Sequence, residues 1–151
     1  MFDYELRRAG WATATFCLGA APVAVAVSYL HDSLRDMARA LLGLDASPDE
    51  VAGFFVDEPG TVVLVMRRPD DHALDLELFR FQDWISQWPP RREERPESLG
   101  SARHRWRTFR GGVMPVLQRL LRVHRTAGYL KLWAAHPFPI EELRVLESRR
   151  P

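Results

Sequence analysis

Apolar and polar positions change period several times along the chain, and each change marks an element. Trp11 to Leu18 is rich in aromatic and β-branched residues, Gly19-Ala20-Ala21-Pro22 interrupts it, and Val23-Ala24-Val25-Ala26-Val27 resumes an extended run. That pattern predicts a hairpin of two buried strands. Leu30, Leu34, Met37, Ala38, Leu41 and Leu42 then recur at three- and four-residue spacings while Asp32, Arg35, Asp36 and Arg39 take the other face, as in an amphipathic helix. Ser28 or Asp32 suits its start, Gly43 its stop, and Ser47-Pro48-Asp49 a turn after it.

From Val51 the period becomes two. Gly53 to Val56 and Thr61 to Arg68 predict two antiparallel strands joined at Asp57-Glu58-Pro59-Gly60, where Pro59-Gly60 fits a type II turn. After a turn at Pro69 to His72, Leu74, Leu76 and Leu78 alternate with polar residues up to Phe81, which adds a third, half-buried strand. Asp83 to Trp88 allows one helical turn, and the segment 89–100, with Pro89, Pro90, Pro96 and almost nothing apolar, reads as a surface loop.

Val113, Leu117, Leu120 and Leu121 form the stripe of a second long helix over about 113–127. Gly111-Gly112 would be its loop junction, Pro115 would sit in its first turn, and Gly128 would stop it before a short helix at Tyr129 to Ala134. Pro139 then opens a terminal helix through Leu146, with Glu141 and Glu142 near its positive end. The expected fold is α+β in one domain, 1–151: one antiparallel sheet of about five strands (hairpin plus three-stranded meander) packed by two main helices and a short C-terminal helix. No internal sequence repeat is visible.

Composition narrows the function classes. A chain of 151 residues that is 46% hydrophobic and 27% charged builds its own core. Its formal net charge of +1 provides no global attraction to nucleic acid or to an anionic membrane. The single lysine, Lys131, among 21 basic residues reflects a chain-wide preference for arginine, so no individual arginine stands out by its type. Arg7-Arg8 before the run from Trp11 to Val27 has a signal-peptide flavour, but Asp3 and Glu5 spoil the basic segment, and Thr13, Thr15, Gly19 and Pro22 interrupt the apolar one. A cytoplasmic protein without a membrane span is expected.

Chemistry-bearing motifs are sparse. The five histidines are scattered, and His31-Asp32 with Asp36 is a common pattern on solvated helix faces, so no metal site and no cofactor are expected. Cys17, the only cysteine, lies in an apolar strand pattern that predicts a buried, inert thiol. No catalytic residue is assigned. His31, Asp32 and Arg35 at the first helix and Glu58 at the lip of its turn are the polar groups best placed for binding, and His31, Asp32 and Glu58 are those for a small-ligand or catalytic cleft near that turn. Arg105, Trp106 and Arg107 stand out within Arg103 to Arg110, where guanidinium groups interleave with Trp106 and Phe109. Such a segment suits phosphate and base recognition, but aromatics in the core with arginines outside are the simpler reading, so nucleic acid is not the favoured partner.

The order Ser28-Tyr29-Leu30, Asp32, Leu34, then Glu58-Pro59-Gly60, then Tyr129, Trp133, Pro137-Phe138-Pro139 and Leu143 resembles that of a family of small uncharacterised bacterial proteins. In general build the chain is also similar to the immunity proteins of bacterial toxin systems. The resemblance implies a shared fold, and the immunity likeness implies a protein partner, a toxin, bound by a surface without a catalytic constellation.

Overall fold

The computed structural model describes residues 2–19, 21–47, 50–90 and 95–149, so the centre of the predicted turn at Ser47-Pro48-Asp49 and Arg91 to Glu94 of the predicted loop lie outside the described residues. Seven strands and three helices follow one another: β1 (Phe2–Leu6), β2 (Trp11–Cys17), β3 (Pro22–Ser28), α1 (Ser33–Ala46), β4 (Glu50–Val56), β5 (Thr61–Arg67), β6 (Ala73–Phe81), β7 (Glu97–Arg105), α2 (Trp106–Trp133) and α3 (Ile140–Ser148).

The strands form two antiparallel sheets, β1-β2-β3 and β4-β5-β6-β7, where the sequence predicts a single sheet of about five. Two strands account for the difference. β1 alternates Phe2, Tyr4 and Leu6 inward with Asp3 and Glu5 outward, so the two acids that spoil a signal peptide are the solvent side of a strand. β7 takes up 97–100, the end of the predicted loop, and continues to Arg105. Its inward positions are Gly100, Ala102 and His104, opposite Leu78, Leu76 and Leu74. Such small or polar residues carry no apolar alternation.

Both sheets are meanders and each runs into a helix, a structural duplication with no counterpart in the sequence. The helices cross over: α1 lies against β4 and α2 against β1. Phe16 and Phe55 meet edge to face at 5.0 Å and join the inner faces of the two sheets into one core with Leu34, Met37, Leu41, Val113, Leu117 and Trp133. Burying each such side chain contributes about 1.5–3 kcal/mol. Sheet two is covered on its other face as well. The segment after β6 lays Ile85 and Trp88 over Phe54, Val63, Val65, Phe79 and Phe81, with no helical turn, and the Ile85 N–H donates to Thr61 Oγ1 at 3.1 Å. Beyond that cover, Glu50, Arg67, Asp75 and Arg103 stand in one row across all four strands with alternating charge.

Three predicted boundaries shift for packing reasons. Gly43 lies inside α1, which runs on to Ala46; a Cβ there would approach Val51 Cγ1 to 3.3 Å, so the glycine permits close contact with β4. α2 starts at Trp106, because Trp106, Phe109, Arg110 and Val113 extend the buried stripe through Gly111-Gly112, and Pro115 is therefore interior. The helix breaks at Arg125 (φ 53°, ψ 174°), and the stripe restarts with Tyr129 and Trp133. Cys17 ends β2 on its outward face and is exposed, since Ala12, Ala14 and Phe16 take the inward positions.

The turn at Asp57 to Gly60 also differs from type II. The Glu58-Pro59 bond is cis and Gly60 does not take a positive φ. Glycine is needed there for space, because a Cβ would fall 2.3 Å from the Phe81 carbonyl oxygen.

Candidate functional site

The face around the start of α1 is built from both ends of the chain. Gly10, at φ 78°, has the Tyr29 ring lying on it, so that a Cβ would meet Tyr29 Cδ1 at 2.4 Å. The Gly10 N–H donates to the Leu132 carbonyl at 2.9 Å, and the Tyr29 N–H to the Gly10 carbonyl at 2.8 Å. This clamp fixes the β1–β2 turn, the β3–α1 turn and the end of α2 to one another. It leaves three large apolar side chains in solvent: Trp11 at 37% exposure, Tyr29 at 37% and Leu30 at 45%. The helical spacing places Leu30 in the core; α1 begins only at Ser33, and Leu30 stays in the turn before it.

Beside these three stands a charged cluster. His31 Nε2 lies 2.6 Å from Asp36 Oδ2, and its ring meets Phe54 edge to face at 6.1 Å. Asp32 caps α1 by accepting from the Arg35 N–H at 3.4 Å. Arg35 Nε pairs with Asp32 Oδ2 and with Glu142 Oε1, each at 3.4 Å, and Arg35 Nη2 donates to the Pro137 carbonyl at 3.3 Å. Arg39 Nε donates to Glu142 Oε1 at 3.1 Å, and His136 Nδ1 stands 3.9 Å from Asp32 Oδ2. Burial raises the Asp32 carboxyl above its ordinary range, against the pull of Arg35 and His136. Burial, and then the Asp32 carboxylate, likewise raise the Tyr129 hydroxyl.

His31, Asp32 and Arg35 are thus brought together, and Arg39, His136 and Glu142 complete the group. No sequence signal joins the last two to the rest. Glu58 stands apart, exposed at the β4–β5 turn and bonded to none of them. The segment Arg103 to Arg110 divides its residues among separate tasks. Arg103 forks onto Asp75 at 2.6 and 2.8 Å. Trp106 is buried under the Arg68 guanidinium, 5.1 Å from its ring centre, and Phe109 and Arg110 are buried as well. Arg105 and Arg107 are exposed and, with His72 and Thr108, line a concavity of about 600 Å³. The aromatics of this segment are therefore not offered as stacking platforms. Among the described residues no group of three or more His, Cys, Asp or Glu is placed to hold a metal ion, and no helix is long and apolar enough to cross a membrane.

Fold and face together define a single α+β domain with an aromatic-centred, charge-rimmed surface. No family model and no curated protein matches the chain. A solved structure described as the CdiA-CT/CdiI toxin and immunity complex from Enterobacter cloacae is similar over 82% of this chain and 100% of that chain, at 6% sequence identity and a TM-score of 0.46. A likeness at that level has no bearing on what this chain does.

Proposed function

We propose that the protein is a non-enzymatic, cytoplasmic protein-binding domain of immunity type, which neutralises a bacterial toxin by covering it with the face around Trp11, Tyr29 and Leu30. One observation carries this reading: three large apolar side chains are held in solvent by a backbone clamp and bordered by ion-paired charges. Interfaces owe most of their energy to a few aromatic and arginine anchors inside a polar rim. Tyr29 is already seated on Gly10, and Arg35 is already bound to Asp32, Glu142 and Pro137. Binding through them loses little conformational freedom.

A growth-inhibiting domain sought among the products of the neighbouring genes is the probe. Co-expression should restore growth, and the purified pair should form a complex. Replacing Trp11 and Tyr29 together by Ala should weaken binding about 1,000-fold, from roughly 2 kcal/mol per hot spot, while Val123→Ala, on the exposed side of α2, leaves it unchanged. Absence of binding to any product of the neighbouring genes refutes the reading, and undiminished affinity in the double variant refutes the assigned face.

A further inference from the structure

Behind the Asp32 carboxylate, four buried polar atoms find no hydrogen-bond partner among the described residues, Tyr4 Oη, Ser33 Oγ, Tyr129 Oη and Trp133 Nε1, while Asp32 Oδ2 and Arg35 Nε beside them meet only in long ion pairs. They belong to one neighbourhood. The Trp133 ring lies 6.1 Å from that of Tyr4 and 6.5 Å from that of Tyr129. The Asp32 carboxylate acts electrostatically on both tyrosines, Ser33 follows it in the chain, and Arg35 Nε lies 3.4 Å from its Oδ2. Tyr4, Ser33, Tyr129 and Trp133 are wholly buried. Leaving so many buried donors and acceptors unbonded would outweigh the small net stability of a domain of this size.

The chemistry of the group selects what satisfies it. An anion would meet the Asp32 carboxylate, and a cation would meet the Arg35 guanidinium and the Trp133 N–H. Arg35 Nε and Trp133 Nε1 only donate, a carboxylate only accepts, and the three hydroxyls do both. The occupant is therefore neutral and both donor and acceptor. We propose that these residues form an internal hydration site, in which ordered water accepts from Trp133 and donates to Asp32 while Tyr4, Ser33 and Tyr129 complete its coordination. Buried water of this kind typically makes about three hydrogen bonds to groups that would otherwise lack them. Asp32, Arg35 and His136 retain partial exposure and mark the route of exchange with bulk solvent. The site lies where β1, the start of α1 and the last turns of α2 meet, and it is independent of the partner proposed above.

The intact wild-type chain tests this directly. A high-resolution crystal structure should show water within hydrogen-bond distance of Asp32 Oδ2 and Trp133 Nε1. Nuclear magnetic resonance should show a long-lived water cross-peak to Trp133 Hε1 that is weakened or lost in Tyr129→Phe, with the remaining spectrum preserved. Direct hydrogen bonds from Tyr4 or Tyr129 to Asp32 without intervening water would overturn the proposal. So would a larger bound molecule detected in the crystal or by native mass spectrometry, or a Trp133 Hε1 that shows no long-lived water in the wild type.

Discussion

Arg110 Nε stands 3.2 Å from Asp45 Oδ2, with the Arg110 side chain buried and that of Asp45 half-buried. The same guanidinium donates through Nη2 to the carbonyls of Leu146, at 2.7 Å, and Arg149, at 3.0 Å. One side chain near the start of α2 thus holds the last turn of α1 and the end of α3, where helix carbonyls lack intrahelical donors. The planar fork suits this task and the point charge of lysine does not.

Replacing Arg110 by Ala should therefore cost about 2–3 kcal/mol, because the carbonyls of Leu146 and Arg149 lose their donor and the half-buried Asp45 is left unpaired. Arg110→Lys should fall between that variant and the wild type, and Arg110→Leu with Asp45→Leu should recover much of the loss. Urea denaturation of the four proteins measures this; equal stability of Arg110→Ala and wild type would show that the contact contributes nothing.

Three glycines should respond in different directions to the same substitution. Gly60→Ala drives a methyl group into the Phe81 carbonyl at 2.3 Å, where the obstacle is backbone, and should destabilise by about 1–3 kcal/mol. Gly111 has open space around its Cβ direction inside α2, so Gly111→Ala should stabilise by about 0.5–1 kcal/mol. Gly10→Ala combines a positive φ with a clash against Tyr29, and should both lower the melting temperature and weaken binding by the proposed face. Thermal melts of the three variants, with affinity measured for the last, decide each case.

The contrast between Gly111 and Gly60 shows what could be read from the sequence. The alternation in β2, β3 and β6 and the stripe of α1 reflect one-sided burial and were legible from spacing alone, while β5, covered on both faces, was legible as an unbroken apolar run. Gly111-Gly112 and Pro115 mark a helix boundary by local propensity, but a penalty of about 1 kcal/mol per glycine is offset by burying Trp106 and Phe109 ahead of them. Within the site, Asp32 and Arg35 are neighbours on one helix and were legible together. Glu142 and His136 join them only because α3 packs on α1, a contact across about a hundred residues that no local pattern encodes. The exposure of Tyr29 and Leu30 was hidden for a related reason, since periodicity cannot tell a helix's first apolar residue from the turn before it.

The acid response of the fold should carry two opposed contributions. Glu50 is held below its ordinary range by the Trp88 indole N–H and then by Arg67, Asp70 by the N–H groups of Ala73 and His72, and Asp75 by Arg103. Their folded values lie below the unfolded ones, so their stabilisation is present above about pH 4 and is lost as pH falls through those folded values. Asp32 behaves in the opposite sense. Burial lifts its folded value above the ordinary 3.8, so within the window from 3.8 up to that raised value the folded chain binds more protons than the unfolded one. Stability from this group therefore falls as pH rises across the window and levels off above it. Asn keeps the cap acceptor but cannot ionise, so Asp32→Asn should lose this slope. Subtracting its urea-unfolding free energy from that of the wild type, pH by pH, should give a difference that declines from about pH 4 upward. The same subtraction for Asp75→Asn should decline in the other direction, toward low pH. Parallel curves for wild type and Asp32→Asn across the window would show that burial does not penalise the Asp32 carboxylate.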